Sequence, residues 1–398
     1  MKITGIGPVT PAGIGRETFW KGILEPVSRV RPYEKLGAEY GPIVAAFVDG
    51  FNIADYVPPD ELPNGLPRHT EFAIAGSILA LRDAGLTSQE TRKSECAIVT
   101  GSSLMDFGSI AKAIGGVERF GSRGANPRMV YTAPLTNVVE SVSHILRLNA
   151  RTMTIQSSCC SGLDAIGYAF ELIASGEVDL AICGGIEAPL MRTPILELRA
   201  AGLTPGTAEM PERLARPFDL WRTTGVVSEG GCMFILEPEK SSRPGYAYIS
   251  GWASATDENG TLCSGLVRAM KQALACAALR PSQIEGISAW APGHKAIDKG
   301  EVAALREVFG DRLPQIPASS IKGAVGAALG AAPAIQVAAA ALGLNRKMLT
   351  PTVNWAFPDP ECDLNLCDCK RDLRLANVIV NAHGVGRINS SLILESCS

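Results

Sequence analysis

Residues 152–176 read TMTIQSSCCSGLDAIGYAFELIASG. Met153 and Ile155 alternate with Thr152 and Thr154, which is the period of a strand. Small polar residues follow at Gln156, Ser157 and Ser158, then Cys159 and Cys160. From Leu163 to Ala174 the pattern is helical, and Ser175-Gly176 stops it. The stretch predicts strand, tight turn, thiol and helix. A cysteine at such a turn lies near the amino end of a helix, where free N–H groups and the dipole favour a thiolate. Cysteine is also a small hydrophobe, so a buried, inert pair accounts for the same two residues.

The chain around this stretch has 398 residues, enough for two domains or one large layered α/β body. Hydrophobic residues make up 46% and charged residues 19%, which provides a generous core. The net charge of −3, with Lys and Arg scattered, offers no basic field for nucleic acid or an anionic membrane. Eleven cysteines, an odd number and many within apolar runs, fit reduced thiols rather than a disulfide framework. The N-terminal residues lack the apolar core of a signal peptide, and no apolar run reaches the ~18 residues of a membrane span. A cytoplasmic location is expected. Cys362, Cys367 and Cys369 stand in a C-x4-C-x-C spacing that is not a zinc pattern, and no fourth ligand is nearby, so no metal is expected.

Along the chain, residues 2–6 predict a strand running into a Gly/Pro-rich turn, and residues 26–68 an irregular excursion. Helices are expected at 69–84, 109–120 and 136–148, the last with Thr136 as cap, and strands at 96–100, 180–183, 232–236 and 247–254. The same rhythm then returns: helix 261–279, strand 286–291, helix 298–309, a strand near 316–318, helix 324–344, and strands 378–381 and 391–395. Two helices stand out, 163–174 and 324–344; the second is apolar nearly all round, which leaves it no solvent face. Each follows a strand and a small-residue turn. This predicts α-β-α-β-α layering built by internal duplication, with halves at 1–240 and 241–398.

Four ordered motifs carry a resemblance. SSCCSGLDAIGYAFELIASGEVDLAICGGIEA (157–188) is similar to the nucleophile segment, T-A-C-S-S-G-L, of β-ketoacyl-[acyl-carrier-protein] synthases, the thiolase-fold condensing enzymes. PFDLWRTTGVVSEGG (217–231) resembles that family's PFDxxRxGFxxGEGA, SSIKGAVGAALGAA (319–332) its SxKxxxGHxxGAAG, and NAHGVGRINSSLIL (381–394) its NSFGFGGTNxSLVL. The resemblance implies a five-layer thiolase-like fold and an acyl carrier protein as partner. It also implies dimerisation through a sheet edge, with itself or with another ketosynthase, and a thioester substrate on phosphopantetheine with no further cofactor.

The resemblance places the nucleophile on Cys159. Of the family's Cys-His-His triad, the first histidine falls on Trp290, in the register set by Asp298 and Glu301, and the second on Ala327. The usual glutamate of the following helix is matched by Gln336, the gating phenylalanine by Val385, and the phenylalanine before it by His383. His294 stands where a threonine lines the pantetheine tunnel. The candidate catalytic residues are therefore Cys159, His383, His294 and Lys322. The candidate substrate-binding residues are Ser158, Cys160, Trp290, Ala327, Gly384 and Val385. An indole N–H at Trp290 cannot shuttle a proton and Ala327 offers no donor, so condensation should be weak while acyl transfer stays open. Three readings stand: an acyltransferase working through acyl-Cys159, a non-elongating partner subunit like a chain-length factor, and an elongating synthase with relocated histidines. Asp219 with Arg222, and Glu229, are expected to be structural pairs that hold loops.

Overall fold

Glycine decides how the first strand packs. In the structure, a computed structural model describing residues 1–258 and 260–397, strand β1 (Lys2–Thr10) is buried throughout. A Cβ on Gly7 would lie 1.9 Å from the Gly76 carbonyl oxygen, and one on Gly5 2.2 Å from that of Ala80. Both carbonyls belong to helix α1 (Arg68–Asp83), which lies directly on the strand. The turn expected after residue 6 is therefore strand: the glycines serve close approach of a helix, not chain reversal.

The elements that follow are β2 (Cys96–Gly101), α2 (Phe107–Phe120), α3 (Thr136–Leu146), β3 (Ala150–Ile155), α4 (Ser161–Ala174), β4 (Leu180–Glu187), β5 (Gly230–Glu237) and β6 (Ala247–Thr256). Then come α5 (Ser264–Cys276), β7 (Gly286–Ser288), α6 (Lys295–Phe309), β8 (Ala318–Ser319), α7 (Ala332–Arg346), β9 (Asn377–Gly384) and β10 (Ile388–Ser396). Thr136 is not the cap of α3; Leu135 holds that position with helical dihedrals.

Among the described residues the main sheet runs β3-β2-β4-β5-β1-β6-β10-β9-β7-β8. In the first five strands β2 pairs in parallel with β3 and β4, while β4–β5 and β5–β1 are antiparallel. In the second five β7 pairs in parallel with β8 and β9, while β9–β10 and β10–β6 are antiparallel. Order and sense repeat strand for strand. The two sets meet where β1 and β6 pair through Lys2↔Tyr248 and Ile3↔Ala247, so they form one hydrogen-bonded sheet rather than two.

Helices α1 and α3 cover the outer face of the first set, and α5 and α6 that of the second. Helices α4 and α7 lie between the two sets and share one core, with Leu163, Ile166 and Ala169 of α4 against Ala334, Ile335 and Ala338 of α7. This is the thiolase-like α-β-α-β-α arrangement. The single helix expected at 324–344 is two pieces, Lys322–Val325 and α7. Between them Gly326 takes φ +70°, and Ala327 pairs with a neighbouring strand-like segment: its N–H donates to Val226 at 2.7 Å and its carbonyl accepts from Ser228 at 3.1 Å. That bend puts Ala327 beside the cavity described below. No helix of the described residues is long and apolar enough to cross a membrane.

Gly7→Ala should lower the free energy of unfolding by ~1–3 kcal/mol or more, because the methyl group has to displace helix backbone. Urea unfolding of both proteins measures it; an unchanged midpoint contradicts the close-approach account.

Candidate active site

Strand β3 ends at Ile155, and the chain turns through Ser157–Cys160 into α4. Ser158 sits at φ +53°, a conformation that L-residues seldom adopt. Ser161 Oγ fixes the turn by accepting from the Ser157 N–H at 3.0 Å and donating to the Ser158 carbonyl at 2.5 Å. The start of α4 is pressed against its surroundings through glycines. A Cβ on Gly162 would lie 2.7 Å from the Gly330 carbonyl oxygen, and one on Gly384 3.1 Å from both Cys159 N and Ser158 Cβ.

Cys159 opens into a cavity of about 630 Å³. Ser158, Trp290, His294, Ala327, His383, Gly384 and Val385 line the same cavity, brought together from four separate segments of sequence. Apolar side chains such as Leu104, Phe107, Leu198 and Leu203 form much of the remaining wall. Two of the expected site residues lie elsewhere. Cys160 is fully buried, with its sulfur 3.5 Å from the Ile388 carbonyl oxygen and its thiol pushed well above the ordinary value by burial. It packs the core and does not line the cavity, because each residue of a helical turn swings the side chain by roughly a third of a turn. Lys322 sits behind the cavity wall, its ammonium 4.1 Å from the centre of the Trp290 ring.

The Cys159 thiol is raised, not lowered. Burial pushes it up, and the nearby Glu187 adds to this; the Val385 backbone N–H, the Ser158 hydroxyl and the Lys322 charge pull it down. The thiolate expected from the helix terminus alone is thus corrected: desolvation outweighs the groups that favour the anion, and the thiol needs a proton acceptor.

Lys322 is fully enclosed, and burial brings its amine down to about 7 against the pull of Glu301, Asp298 and Cys159. Its Nζ donates to Gln336 Oε1 at 2.6 Å. Gln336 Nε2 donates in turn to the carbonyls of Ser288, Ala289 and Asn381, at 3.4, 3.0 and 3.2 Å. The amide is thereby oriented, oxygen toward the lysine. Glu301 accepts from the Trp290 and Ala291 N–H groups, both at 2.8 Å, and pins the loop that carries Trp290.

The two cavity histidines are held differently. His294 precedes α6 as its N-cap, with Nδ1 accepting from the Ile297 N–H at 3.4 Å. Burial, then the charge of Arg222, lowers its basicity. His383, near the end of β9, has Nδ1 2.7 Å from Asn389 Oδ1 on the facing strand.

Glu187 escaped the reading of the sequence. It accepts from Ser102 Oγ, from Ser103 N–H and Oγ, and from the N–H groups of Leu104 and Gly330, at 3.1, 2.8, 2.5, 3.2 and 3.1 Å. Burial raises its carboxyl to about 7 against these donors. A charge closing the apolar run LAICGGIE was the available signal. Arg222 does hold loops, but its carboxylates are Asp359 at 2.5 Å and Asp298 at 3.5 Å rather than Asp219. Asp219 pairs with Arg216 at 2.9 Å and accepts from the N–H groups of Ala356 and Phe357. Glu229 pairs with Arg68 at 2.7 Å and also accepts from Val48 N–H. Among the described residues no group of three or more His, Cys, Asp or Glu is arranged to hold a metal ion.

A half-buried cysteine at a strand-to-helix turn, between two copies of one five-stranded pattern, defines a thiolase-fold acyltransferase. Residues 1–242 match the beta-ketoacyl synthase N-terminal domain and residues 246–356 the C-terminal domain. The chain is 31% identical to a Streptomyces virginiae protein provisionally named polyketide beta-ketoacyl synthase 1, over 99% of this chain and 97% of that one. It is 29% identical to the tetracenomycin polyketide synthase ketoacyl synthase alpha subunit of Streptomyces glaucescens, over 98% and 96%. The ishigamide ketosynthase/chain length factor structure superposes with a TM-score of 0.91 at 26% identity, over 100% of this chain and 99% of that one. The chain belongs to the beta-ketoacyl synthase family, ketosynthase-type acyltransferases that act on acyl-carrier-protein thioesters in fatty-acid and polyketide biosynthesis.

Because the Lys322 charge helps the Cys159 thiolate, Lys322→Met should slow alkylation of Cys159 by iodoacetamide several-fold, up to about tenfold for one pKa unit. The amine is charged below about 7, so the difference should be largest there and fade above it. Peptide mass spectrometry resolves Cys159 from the other ten thiols among the eleven present; equal rates below pH 7 contradict the coupling.

Proposed function

We propose that this protein transfers acyl groups from an acyl carrier protein through an acyl-Cys159 intermediate and condenses poorly or not at all. The observation that carries the reading is the surroundings of the sulfur: the Val385 N–H faces Cys159, and Gly384 lies flat against the Cys159 backbone. Two backbone N–H groups, of Cys159 and Val385, form the oxyanion hole in which a thioester carbonyl becomes tetrahedral. His383 is the proposed base. The apolar cavity wall suits an acyl chain, and His294 with Gly384 and Val385 contacts the phosphopantetheine arm.

Condensation additionally requires donors for the enolate oxygen of a decarboxylated malonyl thioester. The positions that would supply them are Trp290, whose ring is turned onto Lys322, and Ala327, a methyl group. Each absent oxyanion donor costs ~2.7–4 kcal/mol of transition-state stabilisation. Two absent donors make elongation slow by several orders of magnitude. Lys322 supports the site from behind by polarising Trp290 and Cys159.

A second reading, a chain-length-factor-like partner of an active ketosynthase, is favoured by the same two positions and by two surface features. Strand β3 ends the sheet, and α2 and the segment after it bury little, with Phe120, Val130 and Tyr131 exposed. Such a surface fits pairing with a second copy or with another ketosynthase. The halves 1–240 and 241–398 act as one unit in either reading, since the cavity takes residues from both.

Incubation of the pure protein with an acyl-acyl-carrier-protein should add the acyl mass to Cys159, and Cys159→Ala should abolish this. Malonyl-acyl-carrier-protein should release little carbon dioxide. Absence of the adduct together with tight binding to a second ketosynthase supports the partner reading; rapid decarboxylation restores the elongating synthase.

A further inference from the structure

His383 is the first link of a hydrogen-bonded chain that starts from two buried residues and ends on a half-buried one. Its Nδ1 lies 2.7 Å from Asn389 Oδ1, and Asn389 Nδ2 donates to Asp257 Oδ1 at 2.8 Å. The same Nδ2 faces the carbonyl oxygens of Ala255 and Arg387, each at 3.4 Å. Every group facing Nδ2 is an acceptor, so the amide can have only one orientation, with its oxygen toward His383. An imidazole nitrogen against a carbonyl-type oxygen must carry the proton. His383 is therefore the Nδ1–H tautomer when neutral, and its Nε2 bears the free lone pair. Asp257 is anchored independently, accepting from the N–H groups of Cys263 at 3.1 Å and Gly265 at 2.9 Å. Residue 265 has to be small: a Cβ there would lie 2.7 Å from Asn389 Nδ2.

His294 is held in the opposite sense. Its Nδ1 is occupied as acceptor for the Ile297 N–H, so its proton is on Nε2. It can donate a hydrogen bond to a substrate carbonyl and has no free lone pair with which to take the Cys159 proton.

We infer that Cys159, His383 and Asn389 form a thiol–imidazole–amide triad, with Asn389 and Asp257 as positioning residues that fix the His383 tautomer, and with His294 as a donor only. This deepens the acyl-Cys159 reading and rests on it for the identity of the substrate. The order thiol, imidazole, amide is that of papain-like proteases, here on an unrelated fold. The step balances. Nε2 of His383 takes the thiol proton as sulfur attacks the thioester carbonyl. The tetrahedral intermediate then expels the phosphopantetheine thiolate, which recovers that proton from Nε2. One C–S bond forms, one breaks, and no redox partner is needed.

The four histidines make a direct test practical. In protein labelled with 15N-histidine, long-range 1H–15N spectra distinguish the tautomers, and His383→Phe and His294→Thr assign the two signals. The expected result is Nδ1–H for His383 and Nε2–H for His294; the Nε2–H form at His383 overturns the inference. His383→Phe, which installs the residue type the family motif carries, should slow iodoacetamide alkylation of Cys159 at pH 7 by ~10²-fold, the lower end for a positioned base. An unchanged rate removes His383 as the base. Asn389→Ala should lose the fixed tautomer and slow alkylation; a folded variant with both unchanged refutes the positioning role. If Asn389→Ala does not fold, the wild-type spectrum and His383→Phe decide. Alkylation needs no carrier protein. A wild type with the expected tautomers and rates that accepts no acyl group would count against the acyl-transfer reading and leave the triad standing.

Discussion

Backbone pressed against backbone holds this molecule together at its centre. Gly162 at the start of α4 meets Gly185 of β4 and the carbonyl of Gly330, with no room for a side chain on any of them. Through that contact the helix that follows Cys159 is locked to the approach to α7, and so the two sets of strands are locked to each other. Burial of α4 and α7 between the sets supplies the apolar driving force. The glycines set the distance at which that force can act, and everything that faces the cavity inherits its position from them.

The layers were legible in the sequence because they follow from composition. A helix without a polar face, as in 324–344, has to lie inside, and two strand–turn–helix runs predict two half-sheets. Boundaries were less legible. Residues 2–10 look like strand then turn, since Gly5 and Gly7 have the same letter in a loop as against a helix. The 324–344 run looks like one helix, since nothing local announces that Ala327 will pair with Val226 and Ser228. Both errors arise where a distant segment overrides local preference.

The site was legible in its members and not in its electrostatics. Cys159, Trp290, His294, Ala327, His383, Gly384 and Val385 were named from motif positions, and the fold gathers them around one cavity. Cys160 and Lys322 show what the pattern could not provide, namely side-chain direction. The raised thiol could not be read either. A helix terminus is visible in sequence, while the extent of desolvation depends on what closes over the turn. Glu187 and Asp257 went unnoticed because the partners that bring them to the site, Ser102–Leu104 with Gly330 and Asn389, lie far away in the chain.

Glu187 also bears on how far the cavity can change shape. One carboxylate ties the Ser102–Leu104 wall to the Gly330 N–H through five donors. For that wall to retreat, several of these groups would have to lose their acceptor inside the protein, at a cost of ~1–3 kcal/mol each. Moulding of the wall around a longer chain is therefore unfavourable. This side of the cavity is accordingly its stiff side, with a shape set by the carboxylate behind it.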